Sequence, residues 1–364
     1  MPTDLPIAPL PYEIGSYDFE LPPELVAQEP LAERDASRLL VLQRATGALE
    51  HRAFADLPEL LRPGDLLVTN RSRVFPARLL GRRPGGGDAE ILLVQRLEPD
   101  LWEAMVRPGR RLRPGVVVVV APSLGVRIEG PKGGPPPAGH RDQPSPLRRV
   151  RLLLDGLDAD TAIERHGHVP LPPYIRRTDA PSDRDRYQTV YAREGGSVAA
   201  PTAGLHFTAA LLERLRERGI ERAELVLHVG PGTFRPVDAN DVREHRVDPE
   251  RFTIPTETAA AVDRARAEGR RVVAVGTTAT RALESALGPG GRLRAGDGET
   301  ALVIVPGFHF RAVDALVTNF HLPRSSLLLL VSAFGGRERV LGAYAEAIRH
   351  RYRFYSYGDA MLLG

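Results

Sequence analysis

Four histidines stand in short stretches of small or polar residues, and they are the side chains best suited to move protons near neutral pH. His206 lies in Ala199-Ala200-Pro201-Thr202-Ala203-Gly204-Leu205-His206-Phe207, and His228 in Leu227-His228-Val229-Gly230-Pro231-Gly232-Thr233-Phe234-Arg235-Pro236. His321 follows Thr318-Asn319-Phe320, and His245 follows Glu244. Gly and Pro in such loops let the backbone approach a ligand closely. Taken alone, His206 or His228 reads as a satisfied structural histidine. Two such loops flanking one helix and one strand shift the balance toward function. Spacing does not say which histidine is acid and which is base. No H-E-x-x-H or comparably close ligand spacing is present, so the histidines read as proton carriers, with no metal.

The elements that hold these loops can be read in outline. Thr208 is a good N-cap, Leu211, Leu212 and Leu215 form an apolar stripe, and Gly219 stops the helix. Ala223, Leu225, Leu227 and Val229 then alternate as a strand leading into the His228 loop. Val272 to Val275 reads as a buried parallel strand feeding Gly276-Thr277-Thr278 and a helix to about Leu287. A small-polar turn at that junction is where open α/β sheets hold ligands. Thr256 is expected to cap a helix ended by Gly269, Leu327 to Val331 to be a buried helix, and Glu338 to Arg351 an amphipathic one.

From Gly64 to Leu154 the pattern changes. Short apolar runs recur at Leu66–Thr69, Val74–Leu80, Ala89–Leu97, Trp102–Val106, Val116–Val120, Gly125–Ile128 and Arg149–Leu154, punctuated by Gly and Pro. This spacing predicts a small β-barrel or sandwich. Residues 130–146 are too rich in Pro and Gly to pack and read as a hairpin loop, and residues 1–16 as a loose arm. The expectation is an α/β protein: an α/β domain over 1–63 and 155–364 carrying the active site, with a β-barrel inserted over 64–154.

The chain has 364 residues, 42% hydrophobic, which is enough for a sizeable core and about two domains. Cys is absent, so disulfides, thiolate nucleophiles and zinc–thiolate sites are excluded. Lys132 is the sole lysine, which leaves 49 − 1 = 48 arginines and nearly excludes Schiff-base chemistry. Arginine forks bind phosphate bidentately and stack on bases, so a local Arg face can hold nucleic acid at a net charge of only +3. No apolar run approaches a membrane span, and the N-terminus lacks a signal-peptide pattern; a soluble cytoplasmic protein is expected.

The two histidine loops carry a resemblance. Together with Val275-Gly276-Thr277-Thr278, Val313 to Ser325 and Tyr357-Gly358-Asp359-Ala360-Met361-Leu362, they are similar to the S-adenosylmethionine:tRNA ribosyltransferase-isomerase family of the queuosine pathway. The resemblance runs from about Tyr17 to the C-terminus. It implies a β-barrel inserted into an unusual α/β domain. It also implies a reaction: the ribosyl part of S-adenosylmethionine moves onto 7-aminomethyl-7-deazaguanine in the wobble position of a tRNA and isomerises. Epoxyqueuosine, adenine and methionine are the products.

That chemistry needs a base for the C–H beside the sulfonium, an acid near the adenine, groups that hold the cation, and exclusion of water. His206, His228, His321, His245 and Glu244 are the candidate acids and bases. Pro201, Thr202, Thr233, Gly276, Thr277, Thr278, Asn319 and Arg324 are candidate contacts to S-adenosylmethionine, and Arg281 a further anion partner. Phe207, Phe234 and Phe320 can face the sulfonium or pack in the core. No metal is required, the partner is tRNA, and the protein is expected to be a monomer. Arg71 and Arg73, at the barrel entry, are expected to meet tRNA phosphates.

The chain also departs from the family pattern. Asn70-Arg71-Ser72-Arg73-Val74 has Arg71 where an acid is usual, and Asp248 stands where a second histidine is usual after His245. Gly298-Glu299-Thr300 lacks the usual tryptophan. Two alternatives therefore stay open: a paralogue with another acceptor, and a non-catalytic RNA-binding module.

Overall fold

The computed structural model describes residues 12–131, 147–234 and 236–364, without the side chains of 233 and 234. Most of the expected arm and of the expected hairpin loop, and the side chains of Thr233 and Phe234, lie outside the described residues. In chain order the strands and helices are β1 (Arg38–Leu42), β2 (Leu49–Ala53), α1 (Leu57–Leu60), β3 (Leu66–Asn70), β4 (Ser72–Val74), β5 (Arg78–Arg82), β6 (Asp88–Arg96), β7 (Leu101–Arg107), β8 (Val117–Ala121), β9 (Leu124–Pro131) and β10 (Leu147–Leu154). There follow α2 (Ala159–His166), α3 (Asp183–Arg186), β11 (Glu194–Ser197), α4 (Ala209–Glu217), β12 (Glu221–Leu227), β13 (Glu250–Ile254), α5 (Thr256–Ala267), β14 (Val272–Val275) and α6 (Gly276–Ala286). The chain ends with β15 (Gly296–Thr300), β16 (Ala315–Asn319), α7 (Ser326–Gly335), α8 (Arg337–Arg349) and β17 (Ala360–Leu363).

A nine-stranded sheet runs in the order β15-β13-β12-β3-β14-β16-β17-β1-β2. At its centre β12, β3, β14 and β16 are parallel neighbours. Their residues alternate between two cores. Leu66, Val68, Leu225, Val272, Ala274 and Leu316 face one side with α5, α6, α7 and α8. Leu67, Val273, Val275, Ala315 and Val317 face the other with α1 and α4. Burial on both faces explains the unbroken apolar runs of these strands.

β5 to β10 close a six-stranded barrel in the order β10-β7-β6-β5-β8-β9. Leu79, Ile91, Leu93, Ala104, Val118, Val126, Ile128 and Val150 fill it, and α2 closes one side through Ala162 and Ile163. The barrel starts later than the sequence pattern suggests. Leu66–Thr69 belongs to β3, buried at every position in the large sheet, and β4 pairs with β11 outside both. An unbroken apolar run marks a strand covered on two faces, whereas the barrel strands alternate, as in β9. Two smaller expectations also change. Thr256 is the first residue of α5, after Pro255, and its neighbour Thr258 donates to the Glu224 carbonyl at 2.6 Å. Residues 14–16, placed in the loose arm, join Tyr17 in a helical turn that buries Ile14 and Tyr17. Thr208 does cap α4, accepting from the Leu211 N–H.

Candidate functional site

The parallel orientation of β12, β3, β14 and β16 puts their carboxyl ends on one edge of the sheet. Leu227, Asn70, Val275 and Asn319 end these strands. The segments beyond them are His228–Phe234, Arg71–Arg73, Gly276–Thr278 and Phe320–Arg324. Ligands bind at such edges because loop backbone and helix N-termini point outward there. The Pro201–Phe207 stretch packs against the same edge: a Cβ on Gly276 (φ +89°) would lie 3.5 Å from that of Ala203.

Hydrogen bonds join these loops. Asn70 donates to the Leu227 carbonyl at 2.9 Å and to Thr278 Oγ1 at 3.4 Å, and its Oδ1 accepts from the Leu227 N–H at 3.0 Å. Ser197 Oγ accepts from the Val229 N–H at 2.9 Å and donates to the Ala199 carbonyl at 2.8 Å. Val237 N–H donates to the Arg324 carbonyl at 2.9 Å, tying the far end of the His228 loop to the His321 loop. Asn70 escapes a reading by sequence, which weighs Arg71 beside it. The available signal is a polar residue ending an otherwise buried strand.

The histidines differ sharply in environment. His206 is buried, stacked on Phe54 at 4.9 Å, and held at both nitrogens. Asn319 Nδ2 donates to Nε2 at 3.1 Å and to the Tyr355 carbonyl at 3.2 Å. The imidazole proton then sits on Nδ1 and donates to Ser37 Oγ at 2.7 Å. Burial, with Arg34 and Arg353 adding to it, pushes its pKa down to about 3. His321 is also buried; its Nε2 meets Thr318 Oγ1 at 2.9 Å, its backbone N–H donates to Tyr344 Oη, and burial lowers its pKa to about 3. Both rings are neutral at physiological pH; His206 is bonded at both nitrogens and His321 at Nε2.

His228 is half-buried, and its Nδ1 has no hydrogen-bond partner among the described residues. Burial, then Arg251, lowers its pKa, while Glu194 opposes them. Gly196 makes room for it: a Cβ there would stand 3.2 Å from Nδ1. Such an unpaired buried nitrogen costs stability unless a ligand or water meets it. His245 is half-buried, its pKa lowered first by burial; with exposed Glu244 and Asp248 it lines a cavity beside Pro236 that shares Gly232, Val247 and Asp248 with the cleft at Gly230–Gly232.

The candidate ligand contacts also divide. Thr277 and Thr278 are buried at the N-terminus of α6, where N–H groups favour an anion. Asn319, spent as a donor on His206 and Tyr355, keeps an Oδ1 with no partner among the described residues. Pro201 is buried and Thr202 half-buried on the adjoining loop. Phe207 is fully buried against Phe54, and Phe320 against Tyr344 and Phe354, so both rings are core and do not face a ligand. Arg324 is exposed, with φ 55°. Arg281 is committed to Glu250, which also accepts from the Gly230 N–H at 2.9 Å. This pair lines a cleft between Gly230–Gly232 and Leu327 on the sheet side and Gln95 and Glu103 on the barrel. Arg71 is paired with Glu194 at 3.3 Å and Glu224 at 3.7 Å, which leaves little of it for phosphate.

Comparisons with known proteins agree over nearly the whole chain. Residues 14–363 match the family model described as "Queuosine biosynthesis protein". The S-adenosylmethionine:tRNA ribosyltransferase-isomerase of Anaeromyxobacter sp. (strain Fw109-5) is 54% identical over 96% of this chain and 98% of its own length. The protein of that name from Thermus thermophilus is also 54% identical, covering 96% and 99%. The crystal structure of S-adenosylmethionine tRNA ribosyltransferase from Thermotoga maritima is 40% identical, covers 96% of this chain and 100% of its own, and superposes with a TM-score of 0.54.

Proposed function

Because this chain belongs to the queuosine biosynthesis protein family, we propose that it is an S-adenosylmethionine:tRNA ribosyltransferase-isomerase. The reading is carried by identity above one half with proteins of that name across 96% of the chain. S-adenosylmethionine is the ribosyl donor, and tRNA bearing 7-aminomethyl-7-deazaguanine at the wobble position is the acceptor. The proton-transfer chemistry is assigned to side chains, with no metal in it. The protein acts in the cytoplasm, where tRNA and S-adenosylmethionine meet.

The donor sits at the carboxyl edge of the parallel strands. Its methionine carboxylate takes the N-terminus of α6 beside Thr277 and Thr278, where the helix dipole favours negative charge. Asn319 Oδ1 accepts from the methionine ammonium or a ribose hydroxyl, which supplies its missing partner. His228 is the base. A neutral imidazole with an unpaired nitrogen accepts the proton from the carbon beside the sulfonium, and its lowered pKa keeps it neutral when substrate arrives. His206 and His321 position the neighbouring loops: with both rings bonded and neutral, they hold Asn319 and the Thr318 turn in place.

Loss of the proton breaks the ribose C–O bond next to it and leaves a vinyl sulfonium; the freed oxygen becomes an aldehyde as adenine departs with a proton. The tRNA amine adds to the vinyl sulfonium, the ylide so formed closes the ring on the aldehyde, and the alkoxide displaces methionine to give the epoxide. The cleft between Gly230–Gly232 and the barrel begins two residues along the loop from His228 and gives the wobble nucleotide a route in. His228→Gln tests the assignment. Adenine release should fall by about 10²- to 10⁴-fold while S-adenosylmethionine still binds. Near wild-type turnover would remove His228 from the mechanism.

A further inference from the structure

His51, on β2, and Glu346 and His350, one helical turn apart at the end of α8, bring their ligand atoms within 4.8 Å of one another. From these three residues we propose a structural zinc-class metal site that clips the edge strand of the sheet to α8. Glu346 Oε1 lies 3.2 Å from His51 Nε2 and 2.9 Å from His350 Nε2. Ligand atoms around a tetrahedral Zn²⁺ at about 2.0–2.1 Å stand roughly 3.3 Å apart, so two edges of the tetrahedron are already close to length. The i,i+4 spacing of Glu346 and His350 gives one face of α8 two ligands, and β2 supplies the third across the joint. Water completes four-coordination on the exposed side.

A ring held on one nitrogen offers the other to a metal. His51 Nδ1 meets Tyr352 Oη at 2.8 Å, and Tyr352 is itself buried, so the His51 ring is oriented from behind. With the metal on Nε2, Nδ1 carries the proton and donates to the tyrosine oxygen, the outer partner that metal-binding histidines generally have. The second carboxylate oxygen of Glu346 is taken by Arg349, which leaves Oε1 to face both imidazoles. Arg38 approaches from the other side, its guanidinium over the Tyr352 ring and Nη1 donating to the His350 carbonyl. Neither arginine occupies the space between the three ligand atoms as a hydrogen-bonding partner of a histidine ring nitrogen. Protons compete with the metal for both Nε2 atoms, so binding weakens as pH falls.

The site uses none of the residues assigned to the reaction, and its role is stability. Metal binds the folded joint and not the separated strand and helix, so it raises the melting temperature by mass action. The test uses untagged full-length protein stripped of metal by a chelator, then titrated with ZnCl₂ in a calorimeter and with CoCl₂ by absorbance. One Zn²⁺ per chain, the visible bands of four-coordinate Co²⁺, and a higher Tm that EDTA reverses are expected. In a His51→Gln/His350→Gln variant, affinity should fall at least about 10-fold and the Tm response should vanish. Wild-type affinity in that variant, or no binding to wild type below millimolar Zn²⁺, overturns the proposal. A readout needing no variant is the imidazole NMR signals: Zn²⁺ should move those of His51 and His350, and signals that stay in place would also overturn it.

Discussion

At the residue scale, the four motif histidines are alike in sequence and unlike in place. Spacing alone leaves acid and base unassigned, because burial and the second ring nitrogen decide that, and both come from distant residues. His206 is held by Ser37 and Asn319, positions 169 and 113 residues away. The same contacts make a prediction about stability. Both buried histidines have folded pKa values near 3, below the ordinary 6.5. A depressed histidine contributes stability that is full above its unfolded pKa and lost as pH falls, because the unfolded chain binds the proton first. Between about pH 6.5 and 3 each therefore contributes a loss of up to ~1.4 kcal/mol per pH unit. Urea unfolding of the wild type and of His206→Gln across this window should show a shallower acid loss in the variant. Parallel curves would mean that His206 is not the neutral buried ring described here. The two phenylalanines show the same limit of sequence: Phe207 and Phe320 lie beside functional residues yet point inward, and adjacency in the chain does not tell which way a ring turns.

At the element scale, strands and helices are largely legible. β14 and the barrel strands from β6 onward follow their apolar patterns, and Thr208 caps α4 as its type predicts. The element that the pattern misplaces is β3, because an apolar run beside other short strands looks like one of them. What separates it is pairing with β12 and β14, more than a hundred residues away in sequence, which no local pattern contains. The Pro201–Phe207 turn is legible as a tight loop, and the structure supplies the reason at one glycine. A Cβ at Gly204 would stand 2.2 Å from Tyr191 Oη and 2.7 Å from Thr189 Cγ2. Gly204→Ala should therefore destabilise the protein by about 1–3 kcal/mol and displace His206 from Asn319. An unchanged unfolding midpoint would show that the turn tolerates a side chain. At α6, Thr277→Val/Thr278→Val should raise the Kd for S-adenosylmethionine several-fold, since each change removes a hydroxyl from the helix N-terminus. Binding as tight as wild type would move the methionine end of the substrate elsewhere.

At the scale of the whole molecule, the barrel and the sheet meet along the cleft lined by Gln95, Glu103, Gly230–Gly232, Glu250 and Arg281. No helix among the described residues is long and apolar enough to cross a membrane. The expected phosphate contact at Arg71 is weakened by its ion pairs with Glu194 and Glu224. Arg73 is exposed, as are Arg107, Arg110, Arg111 and Arg113 on the barrel, and we propose the barrel group as a further tRNA contact. Each phosphate neutralised should contribute a log–log salt slope of about −0.7 to −0.9. Arg110→Ala/Arg111→Ala/Arg113→Ala should lower tRNA affinity and flatten the slope, while Arg71→Ala changes both little. The reverse outcome would return the contact to Arg71.

The central claim is that this fold breaks S-adenosylmethionine at its ribose and leaves the methyl group on sulfur. The products of a single reaction test it. Purified protein, S-adenosylmethionine and tRNA carrying the aminomethyl-deazaguanine base should release adenine and methionine in equal amounts. The modified nucleoside should gain the mass of the five-carbon unit, and EDTA should leave the rate unchanged. S-adenosylhomocysteine among the products, or adenine released with no change in the tRNA, would contradict the account.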